Sequence, residues 1–181
     1  MEMPLMPRRS LRTPPNRHIR RLVLAVALSV SAATLATPPA GDAAVWATAT
    51  STHATNGRVI VFRYVKEFRA GFVKSSLPDR VILVWRYESQ SGLPATAERE
   101  AMDRLEDLLA PAVEKPGFAM LALVSTGENL REWIYYAKSE KEFLQALNSA
   151  LALQPRVPIE VHAAPDPKWS TYERFRQGVR E

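Results

Sequence analysis

The sequence predicts an α+β domain, and three observations predict it. Strand-like and helix-like segments alternate after residue 58, each long helix carries a single apolar stripe, and the strands gather β-branched and aromatic residues. A helix with one apolar stripe has to bury it against something, and a sheet built from these strands is the surface at hand.

Val59 to Val65 (Val-Ile-Val-Phe-Arg-Tyr-Val) reads as the first strand and Arg80 to Tyr87 as the second, the latter apolar on both faces and therefore central. Ala97 to Leu109 reads as a helix closed by Pro111 and Pro116. Its stripe is Ala97, Ala101, Leu105, Leu108, Leu109 and Ala112, with Glu98, Glu100, Asp103, Arg104, Glu106 and Asp107 turned to water. Phe118 to Ser125 is a third strand, and Thr126-Gly-Glu-Asn-Leu130 turns the chain into a fourth, Arg131 to Ala137. Ser139 and Glu142 have capping-box spacing for a second helix whose apolar face is Phe143, Leu144, Leu147, Ala150 and Leu151. Val157 to Ala163 is a last strand, marked as an edge by Pro158. Asp166-Pro167 reads as an N-cap with proline at the first position of a terminal helix carrying Trp169, Tyr172 and Phe175. Without the first strand the order is β-α-β-β-α-β. The expected architecture is a ferredoxin-like α/β sandwich with an extra N-terminal strand and a short C-terminal helix, one domain over residues 58–178, both long helices on one sheet face.

The N-terminus reads as a targeting segment. An arginine-rich stretch ends at Arg20-Arg21, a fifteen-residue apolar run reaches Ala36, and small residues follow. As a helix that run spans about 22 Å, short of a ~30 Å hydrocarbon core. Residues 1–36 are therefore expected to be a signal peptide cleaved between 36 and 44, with 37–57 a tether and lead-in to the domain. The protein is then periplasmic or secreted, and meets a membrane only if the N-terminal helix stays uncleaved. Six arginines and one acid precede residue 37, leaving 18 basic and 18 acidic residues beyond it. The pI of about 9.7 thus belongs to the leader, and the neutral remainder argues against nucleic acid as a partner.

Chemistry-bearing patterns are sparse. There is no cysteine, and only His53 and His162 lie beyond the leader, so neither a zinc site nor a Gly-x-Ser-x-Gly triad is legible, and no cofactor is expected. Glu160 and His162 alternate with Ile159 and Val161 and should share the face away from the helices, as an acid/base pair or as polar residues on a solvated edge. Trp133 and Tyr135, beside Arg131, fit either a packed core or a surface for a protein or small ligand. Asp166, Trp169 and Tyr172 make a capped helix whose rings fold back as an aromatic lid.

Trp46, Leu105-Glu-Asp107, Gly127, Arg131-Glu-Trp-Ile-Tyr-Tyr136, Phe143 with Leu147-Asn148, Pro158-Ile-Glu160 and Asp166-Pro-Lys-Trp169-Ser-Thr-Tyr172 resemble the bacterial domain-of-unknown-function family 695 over residues 45–178. The resemblance implies an α/β domain with no established activity, cofactor or catalytic residues. Its members are, more distantly, similar to the ferredoxin-like regulator B of ribonuclease E. The expected function is a non-catalytic binding or regulatory domain for an unknown protein or small ligand. Its candidate surface is Arg131, Trp133, Tyr135, Glu160, His162, Asp166, Trp169 and Tyr172, on an open sheet face or in a groove under the terminal helix. The alternatives are a small hydrolase-type enzyme using Glu160, His162 and Asp166, and an envelope protein anchored by an uncleaved N-terminal helix.

Overall fold

The computed structural model describes residues 43–179; the expected signal segment lies outside the described residues. The strands are β1 (Val45–Thr52), β2 (Val59–Glu67), β3 (Asp79–Arg86), β4 (Ala119–Gly127), β5 (Leu130–Ala137) and β6 (Ile159–Pro165). The helices are α1 (Thr96–Val113), α2 (Glu140–Leu151) and α3 (Ser170–Gly178). The strands form one six-stranded sheet in the order β1-β2-β4-β5-β3-β6, antiparallel at every junction. β3 is interior and β6 is an edge, as their sequences predict.

Two strands, not one, precede β3. Val45–Thr52, expected to be tether, pairs along its whole length with β2. Its Ala and Thr residues supply no bulky apolar face because an edge strand has little to cover. The ladder and the turn hold it instead: His53 N–H donates to Arg58 O at 2.8 Å, Gly57 adopts φ +70, and Asn56 Oδ1 accepts from Arg58 N–H at 2.9 Å. At the other hairpin, Glu128 and Asn129 both have positive φ, as a two-residue turn between right-twisted strands requires. Gly127 precedes it for a different reason. A Cβ there would sit 2.9 Å from Ile60 Cα and Val59 O, so only glycine lets β2 approach β4.

Both faces of the central sheet are covered. Val81, Leu83, Trp85, Leu121, Val124, Trp133 and Tyr135 pack against Met102, Leu105, Leu109 and Val113 of α1 and Phe143 and Leu147 of α2. The two long helices therefore share one face, as their single stripes require. On the opposite face Tyr64, Ala122, Leu123, Ile134 and Tyr136 pack against Leu77, Trp169 and Tyr172. A register shift between Leu121 and Leu123 reverses the phase of β4, so that Leu121 and Leu123 serve opposite cores. The expected open sheet face is thus closed over its centre by α3 and the 68–77 connection.

Two helix boundaries differ from expectation. α1 runs past Pro111 to Val113. A proline in the last turn forfeits one intrahelical bond, and complete burial of Val113 against the sheet offsets that loss. α3 starts at Ser170, not at Pro167: Asp166 to Trp169 form a turn closed by Trp169 N–H to Asp166 O at 2.8 Å. α2 begins as expected, with Ser139 Oγ accepting from Glu142 N–H at 3.3 Å.

Candidate functional site

The C-terminal motif builds a core. Trp169, held at φ +56, drives its ring between the sheet and the 68–77 connection. It stacks on Tyr136 with centroids 3.8 Å apart and planes 7° from parallel, and meets Phe68, Phe72 and Tyr172 edge-on. Its Nε1–H is shared by the carbonyls of Lys74 at 2.9 Å and Leu77 at 3.0 Å. Asp166 caps α3 from a distance: its carboxylate accepts from Ser170 N–H at 2.7 Å, Thr171 N–H at 3.1 Å and the Tyr136 hydroxyl at 2.9 Å. Burial alone would raise the Asp166 carboxyl. The Thr171, Ser170 and Tyr136 donors outweigh it and hold the group below the usual carboxylate range. The Tyr172 hydroxyl, donating to Val65 O, is pushed up to about 12, chiefly by burial.

The acids of α1 do not all face water. Glu98 accepts from Trp85 Nε1 at 2.6 Å, Asp103 from Arg131 Nη1 at 2.6 Å and Glu106 from Trp133 Nε1 at 2.8 Å. Glu106 also pairs with Arg63 of β2, and Arg131 Nε donates to Thr126 Oγ1 at 3.0 Å. These three carboxylates border the apolar stripe and seam α1 to the sheet. They satisfy two indole N–H groups and a guanidinium that would otherwise be desolvated without acceptors. Trp133 and Tyr135 are core. The Tyr135 hydroxyl has no hydrogen-bond partner among the described residues, and burial pushes it far above its ordinary value.

The eight residues expected to form one surface do not. Arg131, Trp133, Tyr135, Asp166, Trp169 and Tyr172 are buried, Trp133 and Tyr135 in the core under α1 and α2 and Trp169 and Tyr172 in the opposite one. The reason is that rings at these positions have helices over both sheet faces to pack against. Glu160 and His162 are exposed on β6, 3.5 Å apart, with Arg86 Nε donating to Glu160 at 2.9 Å. The Arg86 hydrogen bond, against some desolvation, lowers the Glu160 carboxyl. Asp166 stands four residues, ~13 Å, further along the strand direction and is committed to capping α3, so the three expected catalytic groups do not converge.

One open flank lies where β1 and β2 run beside α1 and α3. On the α1 side a cleft of about 450 Å³ lies between Arg99, Asp103, Glu106 and Asp107 of α1 and a floor of Thr48, Val61, Arg63, Val124, Thr126 and Arg131. Of the expected site residues only Arg131 lines it. Arg63, Arg131, Asp103 and Glu106 are paired with one another, whereas no hydrogen bond or ion pair engages the side chains of Arg99 and Asp107 among the described residues. On the α3 side a wider groove of about 790 Å³ is lined by Phe62, Tyr64 and Phe175 and the small residues of β1. The Phe62 and Phe175 rings are 5.0 Å apart, so this is all that remains of the expected groove under the terminal helix. Sequence reasoning missed this flank because it depends on β1. The signal available was the strict Ala/Thr alternation from Ala47 to Thr50. No cluster of metal-ligating side chains occurs among the described residues, and no helix there is long and apolar enough to cross a membrane.

No curated protein and no solved structure matches the chain. The sequence profile described as Family of unknown function (DUF695) matches residues 45–176, from the first residue of β1 into α3. The match takes in both cores, the α1 seam and the flanking cleft, and the chain belongs to the DUF695 family.

Proposed function

We propose that the protein is an exported, non-catalytic binding domain whose ligand carries both a cationic and an anionic group, such as a peptide segment, and lies in the cleft between α1 and the β1–β2 flank. The observation that carries this reading is the pair Arg99 and Asp107. Among the described residues they line the cleft without partners while the other charges there neutralise one another. Eight residues apart on one helix, they are separated by ~12 Å, about the length of a three- to four-residue extended segment. Thr48 and Thr126 contribute hydroxyls to the floor facing them, the Thr126 hydroxyl accepting from Arg131 Nε. A balanced cleft of this kind disfavours a polyanion and suits a zwitterion.

Export remains part of the proposal and is supported by position. The first strand among the described residues begins at Val45, so removal of a leader ending between residues 36 and 44 leaves every described strand intact. We also read the fold as ferredoxin-like. β3-α1-β4-β5-α2-β6 supplies the β-α-β-β-α-β order, its strands lie β6-β3-β5-β4 across the sheet, and the β1–β2 hairpin extends the β4 edge. The test of function is selection of random octapeptides on the immobilised protein, followed by titration against Arg99→Ala and Asp107→Ala. The reading expects binders with charges of both signs and a loss of about tenfold or more on each substitution. Binders indifferent to both substitutions, or no binders, would overturn it.

A further inference from the structure

The two sheet edges differ in kind. β6 is flanked by Pro158, ends at Pro165 and carries Glu160, paired with Arg86 of the neighbouring β3, and His162, all devices that discourage a further strand. β1 has none of them. Its eight residues, Val-Trp-Ala-Thr-Ala-Thr-Ser-Thr, hold no charge and no proline, and Val45 and Trp46 are 47% and 37% exposed. The hairpin fixes which way its backbone faces. Because His53 N–H bonds Arg58 O, alternation turns the main-chain groups of Ser51, Ala49 and Ala47 toward β2. Those of Trp46, Thr48, Thr50 and Thr52 then point outward, unpaired by any strand among the described residues.

We infer that this edge is closed by β1 of a second copy of the chain, antiparallel about a dyad at Ala49. The outward groups at 46, 48, 50 and 52 are centred on that residue, so this register pairs all of them: Trp46 with the partner's Thr52 and Thr48 with the partner's Thr50. Threonines meeting across strands are a favourable pair, and no charge meets its like. Residues 37–181, with 18 basic and 18 acidic side chains, carry no net charge to keep two copies apart. The pairing joins two six-stranded sheets into one of twelve. It sets the two α1-side clefts next to each other, each holding its own Thr48 beside the dyad. The inference rests on the binding reading only in assigning that double cleft to a ligand; the dimer stands on the edge itself.

The chain contains no cysteine, so a single introduced one can be oxidised only to its mate in another copy. A non-hydrogen-bonded antiparallel pair has Cα atoms about 4.5 Å apart, within the disulfide range of roughly 4.4–6.8 Å. Ser51, on the same sheet face, lies more than ~13 Å from its own mate in this register. The experiment is sedimentation velocity of the full chain across concentration, with mild oxidation of Ala49→Cys and Ser51→Cys. The expected result is a concentration-dependent dimer, cross-linked through Ala49→Cys and not through Ser51→Cys. Thr50→Pro removes an outward N–H while leaving the β2 ladder, and should weaken the dimer about tenfold or more; Thr48→Lys should do the same by placing like charges near the dyad. A monomer at every concentration overturns the inference, as does equal cross-linking at both positions. A monomer that still binds peptide through Arg99 and Asp107 removes the dimer alone, and a dimer that binds none removes the binding reading alone.

Discussion

Replacing Trp169 by alanine should nearly unfold the domain. The ring is fully buried, and removing about 200 Å² of it from water at ~25 cal/mol per Å² sets a contribution of about 5 kcal/mol. Truncation of large aromatic rings in packed sites costs about 3–5 kcal/mol, and here it would also strip the donor shared by the Lys74 and Leu77 carbonyls. A domain of this size holds only ~5–15 kcal/mol in all. The local backbone adds a finer expectation. Residue 169 sits at φ +56, a region that costs a residue with a Cβ about 1–2 kcal/mol and glycine little. Trp169→Gly should therefore melt no lower than Trp169→Ala, the reverse of the usual order. Trp169→Phe should fall between, keeping the stack on Tyr136 and losing the indole N–H. Urea melts followed by far-UV circular dichroism measure all three. A Trp169→Ala protein that melts like wild type would refute the packing argument.

Other consequences are equally concrete. Glu106→Ala should destabilise by about 1–3 kcal/mol by leaving the buried Trp133 N–H without an acceptor, whereas Glu106→Gln keeps an oxygen there and should recover most of it; equal losses in urea melts would contradict this. Gly127→Ala should cost about 1–3 kcal/mol, because its Cβ meets β2 backbone; unchanged stability would mean the strands can part. The depressed Asp166 carboxyl adds stability that is present above its unfolded value of about 3.9 and lost as pH falls through the lower folded value. The gap between wild type and Asp166→Asn should thus be widest above about pH 4 and close in more acid urea melts; a constant gap would show that the carboxylate's charge is not involved. N-terminal sequencing of protein from the native host's periplasm or medium should begin between residues 37 and 45; intact protein in the cytosol would contradict export.

How much of this was legible depended on whether a signal was local. The α2 cap, the single stripes of α1 and α2, the edge position of β6 and the inward turn of Trp169 and Tyr172 all follow from neighbours in sequence, and all are seen. Partnerships across the chain were not legible. Glu98, Asp103 and Glu106 looked like a solvated face, since nothing near them in sequence announces Trp85, Arg131 and Trp133. The clue lay elsewhere: two indoles and an arginine on interior strands must find acceptors, and these acids border the stripe that packs on those strands. β1 was missed because alanine and threonine in alternation satisfy strand geometry without the bulk that marks a buried face. The start of α3 shifted because Pro167 fits a turn as well as a first helical position, and only the αL backbone of Trp169 separates the two. The cleft followed β1 out of reach, and of the eight expected surface residues only Arg131 lines it.

The central claim, that the α1–β1–β2 cleft is where a zwitterionic segment binds, is tested most directly by backbone amide chemical-shift mapping with a selected octapeptide. Perturbations should centre on Thr48, Arg63, Arg99, Asp107 and Thr126 and vanish in Arg99→Ala. Shifts confined to Glu160 and His162 on β6, or to the groove between Phe62 and Phe175, would contradict it.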